Sequence, residues 1–247
     1  IGSGSRSDLE RMTQSLRHRG PDDAGLWFSN NVGLGMRRLA IIDVETGQQP
    51  ITSADGSRTV VFNGEIYNAP ELRSELEAEG YSFKTDHSDT EVILPLFEKY
   101  GPSFAHKLRG MFAIAIWDSN SEQLILLRDR AGIKPLYFAE VTGGLVFGSE
   151  IKALLAHPGV SRDPDFTALH HYLSLKNIPA PSTAFRQIRQ IRPGHMLTYS
   201  SEGTETKRWW KLDFSRSFDG NEHDAVREVR RLLEKSVLFH MRSDVPF

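Results

Sequence analysis

Cysteine is absent from this sequence of 247 residues. A chain without thiols has no disulfide framework, no thiolate metal cluster and no thiol nucleophile among its own residues. Long apolar runs are absent too, since the longest, 111–117, is far shorter than the roughly 18 residues that a membrane span needs. A net charge of −2 offers no general attraction to phosphate backbones. We therefore expect a globular, cytoplasmic protein with neither a membrane nor nucleic acid as its partner.

Sequence patterns for metal and nucleotide chemistry are also missing. His170 and His171, and the interval from His87 to Glu91, lack the His-Glu-x-x-His pattern of zinc enzymes. Neither of the glycine-rich patterns that cradle phosphates occurs. We expect no metal site and no cofactor within these residues.

Apolar periodicity predicts both helices and antiparallel strands. Stripes with helical spacing predict helices over 8–17, 69–79, 88–100, 150–156, 165–173 and 222–241. Capping boxes are expected at Ser7/Glu10, Asn68/Glu71 and Ser88/Glu91. Short apolar runs between turn residues predict two extended segments within 26–43, the second including 38–42, and strands over 59–62, 111–117, 123–127, 135–141, 145–147 and 191–199. Helices grouped before and after the strands favour an α+β layered sandwich.

A shift in composition divides the chain near its C-terminal end. Residues 213–221 are rich in Ser, Asp and Gly, which is typical of a linker. After them, apolar residues at 226, 229, 233 and 237 predict a strongly amphipathic helix. We expect one domain over 1–212, a linker over 213–221 and the beginning of another unit over 222–247.

The most informative segment is VFNGEIYN, residues 61–68. It follows an apolar strand and precedes a predicted helix, so we expect Asn63, Gly64 and Glu65 on the turn between them. A side-chain amide beside a glycine N–H supplies the two donors that a developing oxyanion needs. Asn-Gly alone is also a common turn dipeptide, and for the isolated pair that alternative stays open.

Six motifs occur in a fixed order: RHRGPD at 17–22, RLAIID at 38–43, NGEIYN at 63–68, SDTE at 88–91, LRGMFA at 108–113 and RDRAGIKPLY at 128–137. Together they resemble the glutaminase half of glutamine-dependent asparagine synthetase, a class II amidotransferase. The resemblance implies the Ntn-hydrolase fold, a four-layer αββα sandwich of two antiparallel sheets. It also implies that 1–212 is the type 2 glutamine amidotransferase domain and that 222–247 begins the ATP-dependent synthetase domain.

The resemblance implies a role for each of eight residues. The Asn63 side chain and the Gly64 N–H match the oxyanion hole. Arg38 matches the residue that clamps the α-carboxylate of glutamine, and Asp89 matches the residue that receives its α-ammonium, with Glu65 nearby. The same motifs bring three apolar residues to the glutamine site: Leu39, Ile41 and Ile42.

Purely structural roles are the alternative for the charged residues. Arg38 taken alone could be a structural ion pair, and Asp89 could cap the helix predicted near Ser88. We expect Arg128 and Asp129 to form a pair that stabilises the fold. Arg19 and Lys134 are interpreted as structural.

The departure from the family lies in the nucleophile. Family members attack the glutamine side chain with an N-terminal cysteine whose own α-amine serves as base. We expect that the cysteine begins a short strand whose last residue is Ile1. A few residues, including this cysteine, would then precede Ile1. In a second interpretation the natural protein never had the cysteine, as in β-lactam-forming relatives whose domain is structural. A third is an amidotransferase with a different acceptor, which the residues after Asn221 argue against.

The resemblance also implies partners. L-glutamine is the expected substrate, hydrolysed to glutamate and ammonia, and the expected partner is the chain's own C-terminal synthetase domain. ATP and Mg²⁺ are expected there, beyond Phe247, where aspartate would be amidated. A homodimer is left open.

Overall fold

The computed structural model describes residues 4–85, 87–215 and 217–246. Within them the helices are α1 (Arg6–Ser15), α2 (Ala69–Ala78), α3 (Ile93–Tyr100), α4 (Ile151–Leu155), α5 (Phe166–Leu175) and α6 (Glu222–His240). The strands are β1 (Asp23–Ser29), β2 (Val32–Arg38), β3 (Ile51–Thr52), β4 (Arg58–Ile66), β5 (Gly110–Asp118), β6 (Gln123–Arg128), β7 (Tyr137–Val141), β8 (Gly144–Gly148), β9 (Ile188–Gln190), β10 (His195–Ser200) and β11 (Gly203–Arg208). The strand expected to end at Ile1 lies outside the described residues.

The largest sheet has six strands in the order β11-β10-β6-β5-β4-β3, with every neighbour antiparallel. Its central strands β4, β5 and β6 are apolar on both faces, because side chains alternate along a strand and both faces of these strands are covered. In β4, Val60 and Phe62 join a core with α2 and α3, whereas Val61 between them joins a second core on the opposite face. The predicted strands at 111–117 and 123–127 follow the same alternation.

The second β layer consists of two separate pieces, β1-β2 and β8-β7-β9. Leu34 from β2 and Leu145 from β8 pack with Val61 in the core between the layers. On the outer face, Met12 of α1 and Leu154 of α4 pack against β7, β8 and β9. The predicted αββα sandwich is confirmed, and its second sheet is divided into two parts.

Two predicted boundaries near the site are wrong. The Asn63, Gly64 and Glu65 motif lies inside β4, not on a turn, because β4 remains paired with β5 as far as Ile66 and Gly110. A glycine is needed there, since a Cβ on residue 64 would lie 2.0 Å from the Met111 carbonyl oxygen. The strand predicted over 38–42 ends at its first residue, and the chain then folds into an irregular loop.

The predicted capping boxes are also wrong. Helix α1 is capped two residues earlier, by Ser5 and Asp8. Asn68 makes no cap, because its side chain binds the backbone of Lys107 and Arg109 instead. The carboxylate of Glu91 accepts hydrogen bonds from the segment before it, and the helix predicted over 88–100 starts as a 3₁₀ turn at 90–92 before α3.

The C-terminal part differs only in detail from prediction. Proline and glycine at 193 and 194 separate β9 from β10, so the strand predicted over 191–199 is displaced. Helix α6 matches the predicted helix closely, and its apolar residues, including Val229 and Leu233, are largely exposed. None of the helices in the described ranges is long and apolar enough to cross a membrane. The division of the chain at 213–221 stays a prediction.

Arg128 and Asp129 stabilise the fold, but through the backbone and not through each other. Arg128 donates to the carbonyl oxygens of Gly132, Lys134 and Ile191 at 2.6 to 2.8 Å. The buried Asp129 carboxylate accepts from four backbone N–H groups at 3.0 to 3.2 Å, those of residues 112, 131, 133 and 134. The pair therefore fixes the turn after β6 against β5.

Asp129→Ala should lower the free energy of unfolding by about 3 kcal/mol or more, because buried N–H groups lose their acceptor. Asp129→Asn keeps one carbonyl oxygen and should fall between this variant and the wild type. Urea denaturation of the natural chain checks the order. The exposed Asp163, changed to Ala, is the matched control, and an Asp129→Ala variant as stable as this control would contradict the assignment.

Candidate active site

A cavity of about 370 Å³ lies between the two β layers. This volume is suited to a small molecule of amino-acid size. All eight residues singled out in the sequence line it, namely Arg38, Leu39, Ile41, Ile42, Asn63, Gly64, Glu65 and Asp89. Segments that are far apart in the chain thus converge on one space.

One side of the cavity is formed by strand edges. Strand β2 pairs only with β1, and β8 only with β7, among the residues that the structure describes. Residues from both of these edges line the cavity, including Gly35 and Gly148, and so do Gly4 and Ser5 ahead of α1. The second sheet is therefore divided between β2 and β8, and residues of both strands line the cavity.

The end of β4 supplies hydrogen-bond donors to the cavity. Asn63 pairs across the sheet with Ala113, and its side-chain amide nitrogen lies 3.5 Å from the hydroxyl of Ser149, the limit of a hydrogen bond. The amide is therefore only weakly engaged by the protein. Gly64 follows it in the same strand, so an amide and a glycine are adjacent on the cavity wall.

Two buried carboxylates form the acidic end of the cavity. Asp89 accepts a hydrogen bond of 2.9 Å from the Ile66 N–H and a longer one from the Thr90 hydroxyl. Burial nevertheless raises its pKa to about 6. Asp89 makes no capping bond to the following turn, so its alternative role as a helix cap is not observed.

Glu65 is the less satisfied of the two carboxylates. Its Oε1 atom is buried and has no hydrogen-bond partner among the described residues. Burial, followed by the negative charge of Asp89, raises the pKa of Glu65. Buried polar atoms in proteins are nearly always paired. An oxygen left in this state, beside a second acid, is suited to receive a cationic group.

Arg38 is buried at the end of β2, and its guanidinium folds the following loop around itself. It donates to the carbonyl oxygens of Ile42, Asp43 and Val44 at 2.6 to 3.1 Å. These bonds use three of its five N–H donors. Its bonds go to backbone oxygens, so the structural ion pair considered as an alternative is not observed. The loop that carries Leu39, Ile41 and Ile42 thus depends on Arg38 for its shape.

Residues outside the set of eight also line the cavity, among them Arg19 and Lys134, which the sequence predicted to be structural. Lys134 lies there half-buried, and burial lowers its pKa. Arg19 lines the same space and is bound to Glu150 at 3.1 Å. Both belong to quoted motifs, and that was the available signal, whereas Ser149 had none. Across residues 4–85, 87–215 and 217–246, no three acidic or histidine side chains are grouped as metal ligands would be.

The geometry has a clear chemical polarity. Carboxylates stand at one end, amide and backbone donors lie along β4, and a guanidinium holds the apolar loop that closes the side. Such a cavity is suited to a small zwitterion with a further polar group. The described residues include no cysteine that could act as a thiol nucleophile.

Comparison with known sequences identifies the family. A family model described as the glutamine amidotransferase domain matches residues 2–210. Glutamine-hydrolyzing asparagine synthetase 1 of Bacillus subtilis (strain 168) is 44% identical over 96% of this chain and 37% of its own length. Amidase chry2 of Gibberella zeae is 36% identical over 97% of this chain and 36% of its own length. The chain spans less than half the length of these curated relatives.

Solved structures agree on the fold. The allosteric regulatory enzyme of purine biosynthesis is 22% identical, with a TM-score of 0.63 over 85% of this chain and 48% of that one. Glutamine phosphoribosylpyrophosphate amidotransferase from B. subtilis is 21% identical, with the same TM-score and coverage. The family model covers most of the chain, and the chain belongs to the glutamine amidotransferase family.

Proposed function

We propose that this chain is the glutaminase half of a glutamine-hydrolysing asparagine synthetase, which releases ammonia from L-glutamine. One observation carries the proposal. The eight motif residues line a single cavity, and its acidic end holds a buried carboxylate oxygen without a donor. The 44% identity to a protein named as such a synthetase supports the same assignment.

The cavity suggests how glutamine would lie. The α-ammonium would sit between Glu65 and Asp89, where it would give the unpaired oxygen a donor and offset part of the negative charge of the two acids. The α-carboxylate would face Arg38, through the two N–H donors that the loop does not use. The side-chain amide would then lie against Asn63 and Gly64, whose donors would stabilise the oxyanion of the tetrahedral intermediate.

The nucleophile would enter between β2 and β8. We propose that a segment ahead of Ile1 adds a strand here and brings a terminal cysteine to the cavity. Its thiolate would attack the amide carbon, and the C–N bond would break as the terminal amine passes a proton to the leaving ammonia. Water would then hydrolyse the thioester to glutamate and regenerate the thiol.

The ammonia would be used by a second unit that begins near 222. ATP and Mg²⁺ would act there by activating the carboxyl group of aspartate as its adenylate. A homodimer and a cytoplasmic location stay predictions of the sequence.

Two alternatives remain distinct: a domain without glutaminase activity, and transfer to another acceptor, as the similarity to a fungal amidase allows. Retention of the whole polar set argues against the first, because a purely structural domain has no need of it.

The first test is glutaminase activity of the complete natural chain, with Asn63→Ala beside the wild type. Loss of one oxyanion donor should lower kcat on the order of 100-fold and change KM little. Ammonia release from glutamine is the measurement, and incorporation of that nitrogen into aspartate identifies the acceptor. A chain that releases no ammonia would overturn the proposal, and an Asn63→Ala variant with normal kcat would overturn the oxyanion assignment.

The second test uses pH. An ionised Asp89 binds an ammonium and a protonated one does not, so glutamine affinity should be constant above about pH 6, the pKa of Asp89, and weaken below it. The expected rise in Kd is about tenfold per pH unit on the acidic side. Calorimetry on a thiol-free form excludes titration of the nucleophile. Asp163→Asn should leave the profile unchanged, and a Kd that is flat to pH 5 would contradict the role of Asp89.

The third test concerns Arg38. A lysine has one ammonium and cannot bind three carbonyl oxygens as the planar guanidinium does. Arg38→Lys should therefore loosen the loop and raise KM for glutamine by about tenfold or more. Arg58→Lys is the matched control, because Arg58 pairs with Asp118 on the six-stranded sheet and does not line the cavity. Equal KM values for the two variants would contradict the assignment.

A further inference from the structure

We propose that three side chains after the predicted linker, those of His240, Arg242 and Asp244, position the glutamine cavity from outside. We call residues 240–244 the C-terminal clamp. The inference rests on the proposed function and adds positioning residues to it. None of the three lines the cavity, so they act through the groups that they hold.

One arm of the clamp holds the end of β4. The imidazole of His240 lies 2.8 Å from the Tyr67 hydroxyl, and the two rings are 4.7 Å apart. Arg242 donates to the Tyr67 carbonyl oxygen. Tyr67 follows β4 directly and stands two residues after Glu65. The strand end that carries the acidic part of the cavity is therefore held at both the side chain and the backbone.

The other arm holds the loop after β2. The Asp244 carboxylate accepts a hydrogen bond of 2.6 Å from the Asp43 N–H, and the Asp244 N–H donates to the Ile41 carbonyl oxygen at 3.0 Å. The same carboxylate oxygen lies 2.7 Å from Nε2 of His87. His87 stands two residues before Asp89. Asp244 thus joins the apolar loop to the segment that presents the second acid.

The loop needs support from both sides. Asp43 has a positive φ of 53°, a left-handed conformation that costs energy for a residue with a Cβ. Arg38 holds the carbonyl oxygens of this loop from inside, and Asp244 holds its N–H and a further carbonyl from outside. Both arms contact residues that lie within two positions of a proposed glutamine contact.

Charge supports the same interpretation. Burial raises the pKa of Glu65, and the nearby imidazole of His240 and guanidinium of Arg242 act in the opposite direction. They therefore help to keep Glu65 ionised, the form that would bind an ammonium. The clamp lies beyond 213–221, so the unit that begins near 222 would influence glutamine binding through it.

The test is steady-state glutaminase kinetics of the complete natural chain. Asp244→Ala should raise KM for glutamine about tenfold while kcat changes less than about twofold, because the loop and not the oxyanion site is released. Asp244→Asn keeps an oxygen for the Asp43 N–H and should restore part of the affinity.

His87→Ala should raise KM as well. The double variant should raise it by less than the product of the two single effects, because both share one carboxylate oxygen. Glu202→Gln, an exposed acid in the turn between β10 and β11, is the control.

The outcomes separate the two proposals. A wild-type chain without glutaminase activity would overturn the proposed function itself. An active wild type in which Asp244→Ala has normal KM, or in which kcat falls and KM does not rise, would overturn the clamp alone. Should Asp244→Ala fail to fold, Asp244→Asn and His87→Ala carry the same test, and normal KM in both would overturn the clamp.

Discussion

A buried carboxylate oxygen without a donor is the constraint on which the account of this site depends. Glu65 stands at the end of β4 with its Oε1 atom unpaired. Its own burial, followed by the negative charge of Asp89, opposes the ionisation of Glu65. Two buried acids side by side are tolerated when a cationic ligand binds between them, donates hydrogen bonds and offsets their negative charge. The cavity is also lined by Asn63 and Gly64 on β4 and by Arg38, whose guanidinium holds the apolar loop.

Charged side chains hold irregular backbone throughout the region around the site. Arg38 and Arg128 each donate to three carbonyl oxygens, and Asp129 accepts from four N–H groups. Asp244 does the same for the loop after β2. These side chains supply the hydrogen bonds that a neighbouring strand would supply in a sheet, because the backbone groups of these loops are not paired with a strand. Positioning and stability are thus supplied by the same bonds.

The sheet core could be predicted from the sequence because its signal is local. The strands β4, β5 and β6 are visible as short continuous apolar runs, and turn residues separate β5 from β6. The site residues were reachable only through the ordered motifs, since Arg38 and Asp89 taken alone favoured bland roles. Their convergence on one cavity required the fold.

The errors have a common physical origin. Capping patterns are short, and side chains such as that of Asn68 found partners far along the chain. The strand expected at 38–42 is apolar, yet the Ile42 carbonyl oxygen accepts from Arg38 and the Ile41 carbonyl oxygen from the Asp244 N–H, instead of from a neighbouring strand. Asp43 and Asp244 are separated by 201 residues, and no local signal links them. Tertiary contacts overrode local preference in each case.

Both pieces of the divided second sheet contribute residues to the site. Strands β2 and β8 contribute to one core but lack a common neighbour among the described residues. An additional strand would satisfy both edges and deliver its first residue to the cavity. The nucleophile, the oxyanion donors and the groups that bind the two ends of glutamine would then come from four separate segments of one sandwich.

A crystal structure of the complete natural chain with its nucleophile replaced and glutamine bound tests the central claim most directly. The account predicts the α-ammonium within hydrogen-bond distance of Glu65 Oε1 and the Asp89 carboxylate, and the side-chain amide oxygen at Asn63 and Gly64. Glutamine bound in the reverse orientation, or outside this cavity, would contradict it.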